Sequence, residues 1–322
     1  VNAPLDPRAR RDVRDAEHLS DADALLALAK GSKTFAFAGW FLPADRRTDA
    51  ARLYAFCRYV DDLADDAPDI GTARIALAGV RAELRGEATA GPIVGALIDL
   101  LTRCRVDVGI AEALVDGVSS DLEEVRLADD AALLRYAYRV ASTVGLMMCG
   151  VLGVDNEEAG PFAVDLGIAM QISNICRDVA EDARRGRVYL PRTRLQAAGV
   201  GSAPADVLAH PEGVRRVVLD LLSLADRYYA SADHGMRFIP TRARLAILIA
   251  SRTYRAIGTI LRARAGDALS GRVFVPLWGK LWTALDGVVA WLRAPAWRTA
   301  HRAELHRCLH DLPGCHAPRG TT

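Results

Sequence analysis

Apolar positions recur every three to four residues over long stretches of the chain, with polar positions between them. That period puts the apolar side chains on one face of an α-helix. It runs through about 43–65, 72–86, 92–106, 110–126, 129–152 and 156–183, then 211–235, 240–265 and 276–293. Ser20 suits the N-cap of a shorter helix reaching Lys30. Pro43 opens the next helix and Ala67-Pro68 closes it, because a residue before proline is driven out of the helical region. Pro191 and the Ala/Gly-rich stretch 197–204 read as loop. Two-residue alternation is nearly absent, so no sheet is expected. Residues 1–19, polar and rich in Arg and Asp, read as a loose arm. Residues 20–293 read as one all-α domain and 294–322 as a flexible tail, with no repeat or linker to divide the domain.

Composition narrows the function. Basic and acidic residues number 41 and 40, so no global field favours nucleic acid, and none is expected as a partner. No charged-then-apolar leader opens the sequence, and no apolar run of about 18 residues could span a bilayer. Cys57, Cys104, Cys149, Cys176, Cys308 and Cys315 are mostly isolated within apolar helical patterns, which suits reduced thiols in the cytoplasm.

The chemistry sits in two acidic stretches. "YAFCRYVDDLADDAPD" (54–69) holds Asp61, Asp62, Asp65, Asp66 and Asp69 within nine positions. Like charges one turn apart destabilise a helix, and Asp is a poor helix former. In "QISNICRDVAEDARRGRVY" (171–189), Asn174, Asp178 and Asp182 follow at i, i+4 and i+8 on one side of a helix. Either stretch alone also fits a solvated, salt-bridged helix face. Two of them, on apolar helices over a hundred residues apart, point to one shared pocket. An all-oxygen donor set suits Mg²⁺, which uses one or two carboxylates while substrate phosphates fill other positions. Zinc would call for His or Cys at these spacings, and neither occurs there. Arg58, Arg177, Arg184, Arg185 and Arg187 surround the acids, and guanidinium forks match diphosphate oxygens. Neither a P-loop nor a strand-borne G-x-G-x-x-G is present, and the acids do not follow EF-hand spacing.

These stretches, with "GSKTF" (31–35), "YRVASTVG" (138–145) and "GRVFVPLWGK" (271–280), resemble the squalene/phytoene synthase family, head-to-head trans-isoprenyl diphosphate synthases, and its phytoene synthase branch in particular. The resemblance spans most of 25–290 and is most specific in "AMQISNICRDVAEDARRGRVYLP" (169–191). It implies an isoprenoid-synthase fold, all helical around a large central cavity. It also implies metal-binding roles for Asp61, Asp62, Asp65, Asn174, Asp178 and Asp182, with Tyr136 a cavity tyrosine that joins the acids in catalysis. Ser32, Lys33 and Thr34 would line the diphosphate pocket, Thr34 replacing a more usual serine. Tyr54, Arg58, Gln171, Arg177, Tyr254 and Arg272 match positions near the diphosphates.

The implied reaction joins two geranylgeranyl diphosphates into phytoene through a cyclopropylcarbinyl diphosphate. It would use Mg²⁺, or Mn²⁺ in its place, and no NADPH. C30 synthesis from farnesyl diphosphate, giving squalene, dehydrosqualene or hydroxysqualene, is the alternative. A non-catalytic assembly or lipid-binding protein of the same fold is the reading from another class, and intact acids in both motifs argue against it. Downstream carotenoid enzymes would be natural partners. Val140, Ala141, Val144, Gly145 and Met148 form a small-residue stripe that fits either cavity lining or plain helix packing.

Two features near the C-terminus stay open. Trp278, Trp282, Trp291 and Trp297 crowd one stretch and fit either a packed last helix or peripheral contact with the inner face of the membrane. His301, His306, His310 and His316, with Cys308 and Cys315, have a composition that suits a soft metal, yet no standard ligand spacing.

Overall fold

A computed structural model describes residues 24–25, 42–293 and 299–315, apart from the side chains of 277 and 280. Helices follow in the order α1 (Ala44–Asp65), α2 (Ile70–Leu84), α3 (Pro92–Cys104), α4 (Val108–Ser120), α5 (Asp130–Ala137) and α6 (Thr143–Leu152). Then come α7 (Ala159–Arg184), α8 (Arg192–Ala197), α9 (Pro204–Ala209), α10 (Pro211–Gly235), α11 (Thr241–Ala263) and α12 (Leu277–Arg293). Among the described residues the only β pairing is an isolated parallel bridge between Arg126 and Val188. The all-α expectation holds.

Caps explain several starts. Asp69 accepts the Thr72 amide at 2.9 Å, Asp107 that of Gly109 at 2.8 Å and Asp129 that of Ala132 at 2.9 Å. Each satisfies an amide that the first helical turn leaves unpaired. One of the five aspartates of the first cluster is therefore a cap, and its pKa is lowered by Thr72.

The core is centred on α7, which packs along α10. Ile168, Ile172, Ile175, Cys176 and Val179 are buried against the main core, as are Val214, Val218, Leu221, Leu222 and Tyr229 of α10. Ser173 Oγ and the Tyr229 hydroxyl share a buried hydrogen bond at 3.0 Å, so these two polar atoms are satisfied. On the other side α1 packs on α2, α3, α4 and α6, with Phe56 fully buried. Truncating Phe56 to Ala would cost about 3–5 kcal/mol.

The structure departs from the expected boundaries in three places, each with a physical cause. The expected helix 110–126 ends at Ser120, because 125–127 leave the helical path to bond 188–193: Val188 N donates to Val125 O and Arg192 N to Leu127 O. The expected helix 129–152 contains a π-helical turn at Tyr138–Ser142. There Ser142 Oγ donates to Val164 O at 2.7 Å, and the backbone comes so close to α7 that a Cβ on Gly167 would lie 2.5 Å from Ser142 Cα. Gly145 likewise sits against Ala163 O, which favours the packing reading of the small-residue stripe.

The third departure is the tail. Residues 301–315 pack against the core, with Leu305, Leu309, Leu312 and Cys315 buried. Arg135 forks onto Asp311 at 2.6 and 2.8 Å, and Tyr228 donates to Leu305 O at 2.9 Å. Apolar residues at three- and four-residue spacing make this segment part of the core instead of a free tail. The expected short helix 20–30 lies outside the described residues except for Ala24 and Leu25, which are helical.

Candidate active site

The last turns of α1 carry Arg58, Asp61, Asp62 and Asp65. Arg58 Nη2 pairs with Asp62 Oδ1 at 2.5 Å, one turn on. Asp61 is open to solvent yet has protein on most sides, and its pKa is pushed up to about 7. Burial is the main cause, with Asp65, Asp62 and Asp121 adding to it and Arg58 opposing. Tyr54, two turns upstream, is half-buried and pushed up to about 12, again by burial.

The second set of acids comes from α7. Asp178 takes a fork from Arg177, Nε at 2.8 Å and Nη2 at 2.5 Å, and a second guanidinium from Arg272, Nε at 3.0 Å. Arg272 also reaches Glu181 at 3.3 Å. Asp182 is pushed up to about 7 by burial and by the charges of Asp178 and Glu181. Tyr254 is raised by burial and lies in the field of Arg177, Asp178 and Arg272. Gln171 Oε1 accepts Asn174 Nδ2 at 3.5 Å, a long contact. Asn174 Oδ1 is buried, with no hydrogen-bond donor among the described residues.

One basic residue joins the two clusters. α7 ends at Arg184, and Gly186 then takes φ +82°, a conformation open to glycine at little cost. The chain doubles back, Arg187 N donates to Asp182 O, and the Arg187 side chain reaches Asp65 Oδ1 at 3.5 Å. Arg187 also acts electrostatically on Asp121 and Asp182. Acids from both motifs therefore lie in the field of one guanidinium.

The Arg126–Val188 bridge completes the arrangement by holding loop 121–127 against 186–190. Asp121 then accepts the Tyr136 hydroxyl at 2.9 Å, and Tyr136 stacks on Tyr189 with centroids 4.9 Å apart. Burial pushes Asp121 up to about 6. Sequence reasoning missed Asp121, Glu181 and Tyr189 as members of this site. Glu181 and Tyr189 lie inside the specific 169–191 stretch and were within reach. Asp121 had no motif around it, and only the inter-loop bridge brings it in. Of the expected residues, Tyr54, Arg58, Asp61, Asp62, Asp65, Tyr136, Gln171, Asn174, Arg177, Asp178, Asp182, Tyr254 and Arg272 fall in this region; Ser32, Lys33 and Thr34 lie outside the described residues.

The donor chemistry fits a hard divalent cation. Carboxylates held at raised pKa by burial and by one another's charge, together with a buried amide oxygen lacking a donor, would both be relieved by an oxygen-seeking ion. A surface groove of about 670 Å³ lined by Asp130, Arg194, Arg216 and Asp220 shares no residue with these acids.

The squalene/phytoene synthase family model matches residues 28–279. The chain belongs to the squalene/phytoene synthase family. Within the family it is 36% identical over 280 residues to a 15-cis-phytoene synthase from Paracoccus sp. (strain N81106 / MBIC 01143), covering 82% of this chain and 89% of that protein. It is 36% identical to a phytoene synthase from Rhodobacter capsulatus, covering 81% and 78%. The fold matches a crystal structure of a dehydrosqualene synthase with ligand (TM-score 0.75, 23% identity, 89% of this chain and 98% of that one). It also matches squalene synthase HpnC from Alicyclobacillus acidocaldarius (TM-score 0.68, 24% identity, 81% and 97%). As a member of this family the chain is a prenyltransferase-type enzyme with an all-helical fold.

Proposed function

We propose that this enzyme condenses two molecules of geranylgeranyl diphosphate head to head, giving phytoene and two diphosphates. The observation that carries the reading is Arg187, which contacts Asp65 of the first acid motif and acts through its charge on Asp182 of the second, in a chain whose relatives at 36% identity are phytoene synthases. Asp61, Asp65, Asn174, Asp178 and Asp182 would hold Mg²⁺, with Asp62 beside them. The bound ion would supply Lewis-acid stabilisation of the departing diphosphate.

The chain's own residues do the rest. Arg58, Arg177 and Arg272 bind diphosphate oxygens, exchanging their present carboxylate partners Asp62 and Asp178 for substrate. Ser32, Lys33, Thr34, Tyr54, Gln171 and Tyr254 complete the diphosphate surroundings. One allylic C1–O bond breaks, and the double bond of the second substrate attacks the cation. Loss of a proton closes the ring to a cyclopropylcarbinyl diphosphate, which then ionises and rearranges to join the two C1 carbons. Loss of a second proton ends the sequence, so no reductant is consumed. Tyr136, held by Asp121, orients its hydroxyl beside the reacting chain.

Peripheral membrane contact belongs to the same proposal, because substrate and product are greasy. Helix α12 is amphipathic: Trp291 Nε1 donates to Thr241 O at 2.9 Å on the packed side, whereas Trp278 and Trp282 are 75% and 70% exposed. Leu281, Leu285 and Leu292 extend that exposed apolar face, and Arg293 ends it. The packing and membrane readings of the Trp cluster thus each claim different tryptophans; Trp297 lies outside the described residues. No described helix is long and apolar enough to cross a membrane. Vesicle co-sedimentation should fall in a Trp278→Ser/Trp282→Ser variant.

The deciding experiment gives purified protein geranylgeranyl diphosphate and Mg²⁺ without NADPH. Phytoene and two diphosphates per product are expected. Accumulation of the cyclopropyl intermediate until NADPH is added would overturn the reading, as would ready turnover of farnesyl diphosphate alone.

A further inference from the structure

The buried end of α7 holds a cluster that the condensation does not use. Asp165 is fully buried, thirteen residues before Asp178, which at ~1.5 Å per residue is about 20 Å along the helix. Each of its carboxylate oxygens meets one imidazole: Oδ2 lies 2.9 Å from His301 Nε2 and Oδ1 lies 2.8 Å from His306 Nε2. Both histidines come from the C-terminal segment, 136 and 141 residues away in sequence. One donor atom from each of the three residues lies within 4.8 Å of the others.

The surroundings hold these groups in place. The two imidazole centroids are 4.4 Å apart, and the His301 ring packs edge-on against Phe162 at 5.3 Å. Phe162 sits one turn before Asp165 on α7, with the Arg237 guanidinium 5.6 Å from its ring. The His301 side chain is 14% exposed and that of His306 8%, so one edge of the cluster opens to solvent.

A fully buried carboxylate between two neutral imidazoles leaves a negative charge in the interior, which is costly. A proton on one imidazole or a cation would neutralise it. Two imidazole nitrogens and one carboxylate form the three-residue donor set of zinc sites that keep a fourth position for water. Mg²⁺, which prefers oxygen, is poorly served by it.

We propose that Asp165, His301 and His306 bind a nitrogen-seeking divalent transition-metal ion of the zinc class, which fastens the C-terminal segment to α7. This site is separate from the acid-rich site and independent of which prenyl diphosphate the enzyme uses. A bound ion would join the C-terminal segment to the helix that carries Asn174, Asp178 and Asp182.

The test uses full-length, untagged protein stripped of metal and kept in excess Mg²⁺. Zn²⁺ is titrated in competition with a chromophoric chelator, and Co²⁺ is added separately for its visible spectrum. One tight equivalent of Zn²⁺ is expected, with a Co²⁺ spectrum of low coordination number and a melting temperature raised by Zn²⁺. His301→Gln, at the more open edge, should weaken Zn²⁺ by more than the roughly 10–100-fold that loss of an outer-shell partner costs. Asp61→Asn should leave this equivalent unchanged. Absence of a Mg²⁺-resistant equivalent in the wild-type protein would overturn the proposal and leave a protonated His–Asp clasp. Equal Zn²⁺ affinity in wild type and a His301→Gln/His306→Gln double variant would overturn it too. The wild-type Co²⁺ titration decides the matter even if the double variant does not fold.

Discussion

The two ends of α7 use the same residue for opposite purposes. Toward its C-terminus, Asp178 and Asp182 lie beside Glu181 and in reach or in the field of the guanidiniums of Arg177, Arg187 and Arg272. Toward its N-terminus, Asp165 has no exposure, and two imidazoles occupy its oxygens. Surplus negative charge at an accessible site is a standing demand for a cation and its anionic ligand. Negative charge with its partners inside the core holds segments together. Burial and the chemistry of the partner, more than residue type, separate a site for substrate from a clasp.

The comparison can be broken first on turnover. Asp178→Asn or Asp61→Asn removes a carboxylate from the metal-type site and should lower kcat by about a thousandfold or more, since several kcal/mol of charge stabilisation are at stake. The fold should survive in both. Near-normal activity of either purified variant with Mg²⁺ present would show that the two clusters are not one site.

The same chemical change at the other end should act on stability. Asp165→Asn puts an amide donor against imidazole donors in the core, and about 3 kcal/mol should be lost. A lower melting temperature is expected, with kcat near wild type well below it. Loss of turnover with unchanged stability would erase the distinction between the two ends.

A smaller effect is expected at Arg58. Arg58→Lys keeps the charge but loses the fork, so inorganic diphosphate should bind roughly tenfold more weakly, about 1.4 kcal/mol. Unchanged diphosphate affinity would confine Arg58 to its pairing with Asp62.

The finest test is the pH dependence of melting in metal-free protein. Asp61 is held at about 7 in the folded state, against about 3.9 for a free aspartate. Between those values the folded state binds the proton that the unfolded chain has released, so this group's contribution to stability falls as pH rises from about 4 to 7. Asp61→Asn should therefore raise the melting temperature at pH 8 more than at pH 5, and Mg²⁺ should narrow the difference. An equal effect at both pH values would mean that the Asp61 carboxylate is not destabilised by burial and its neighbours.

Much of this architecture was legible from periodicity, because helices are local and 3.6-residue patterns mark their faces. The boundaries failed where a distant segment competed for the backbone. Residues 125–127 turn away from α4 toward 188–193, and 138–142 accommodate the close approach of Gly167. The acids of α1 and α7 could be found because each set lies one or two turns apart on its own helix.

By itself the sequence determined the helical class, the two acidic faces and the arginines beside them, since each depends on spacing within a single helix. Tertiary structure alone decided which aspartates are site and which are cap. Asp69 spends its carboxylate on Thr72, while Asp121 joins Tyr136 through a loop pairing with no local signal. It also decided where His301 and His306 sit. Their third partner, Asp165, lies 136 or more residues away, and no spacing rule spans a contact that only packing creates.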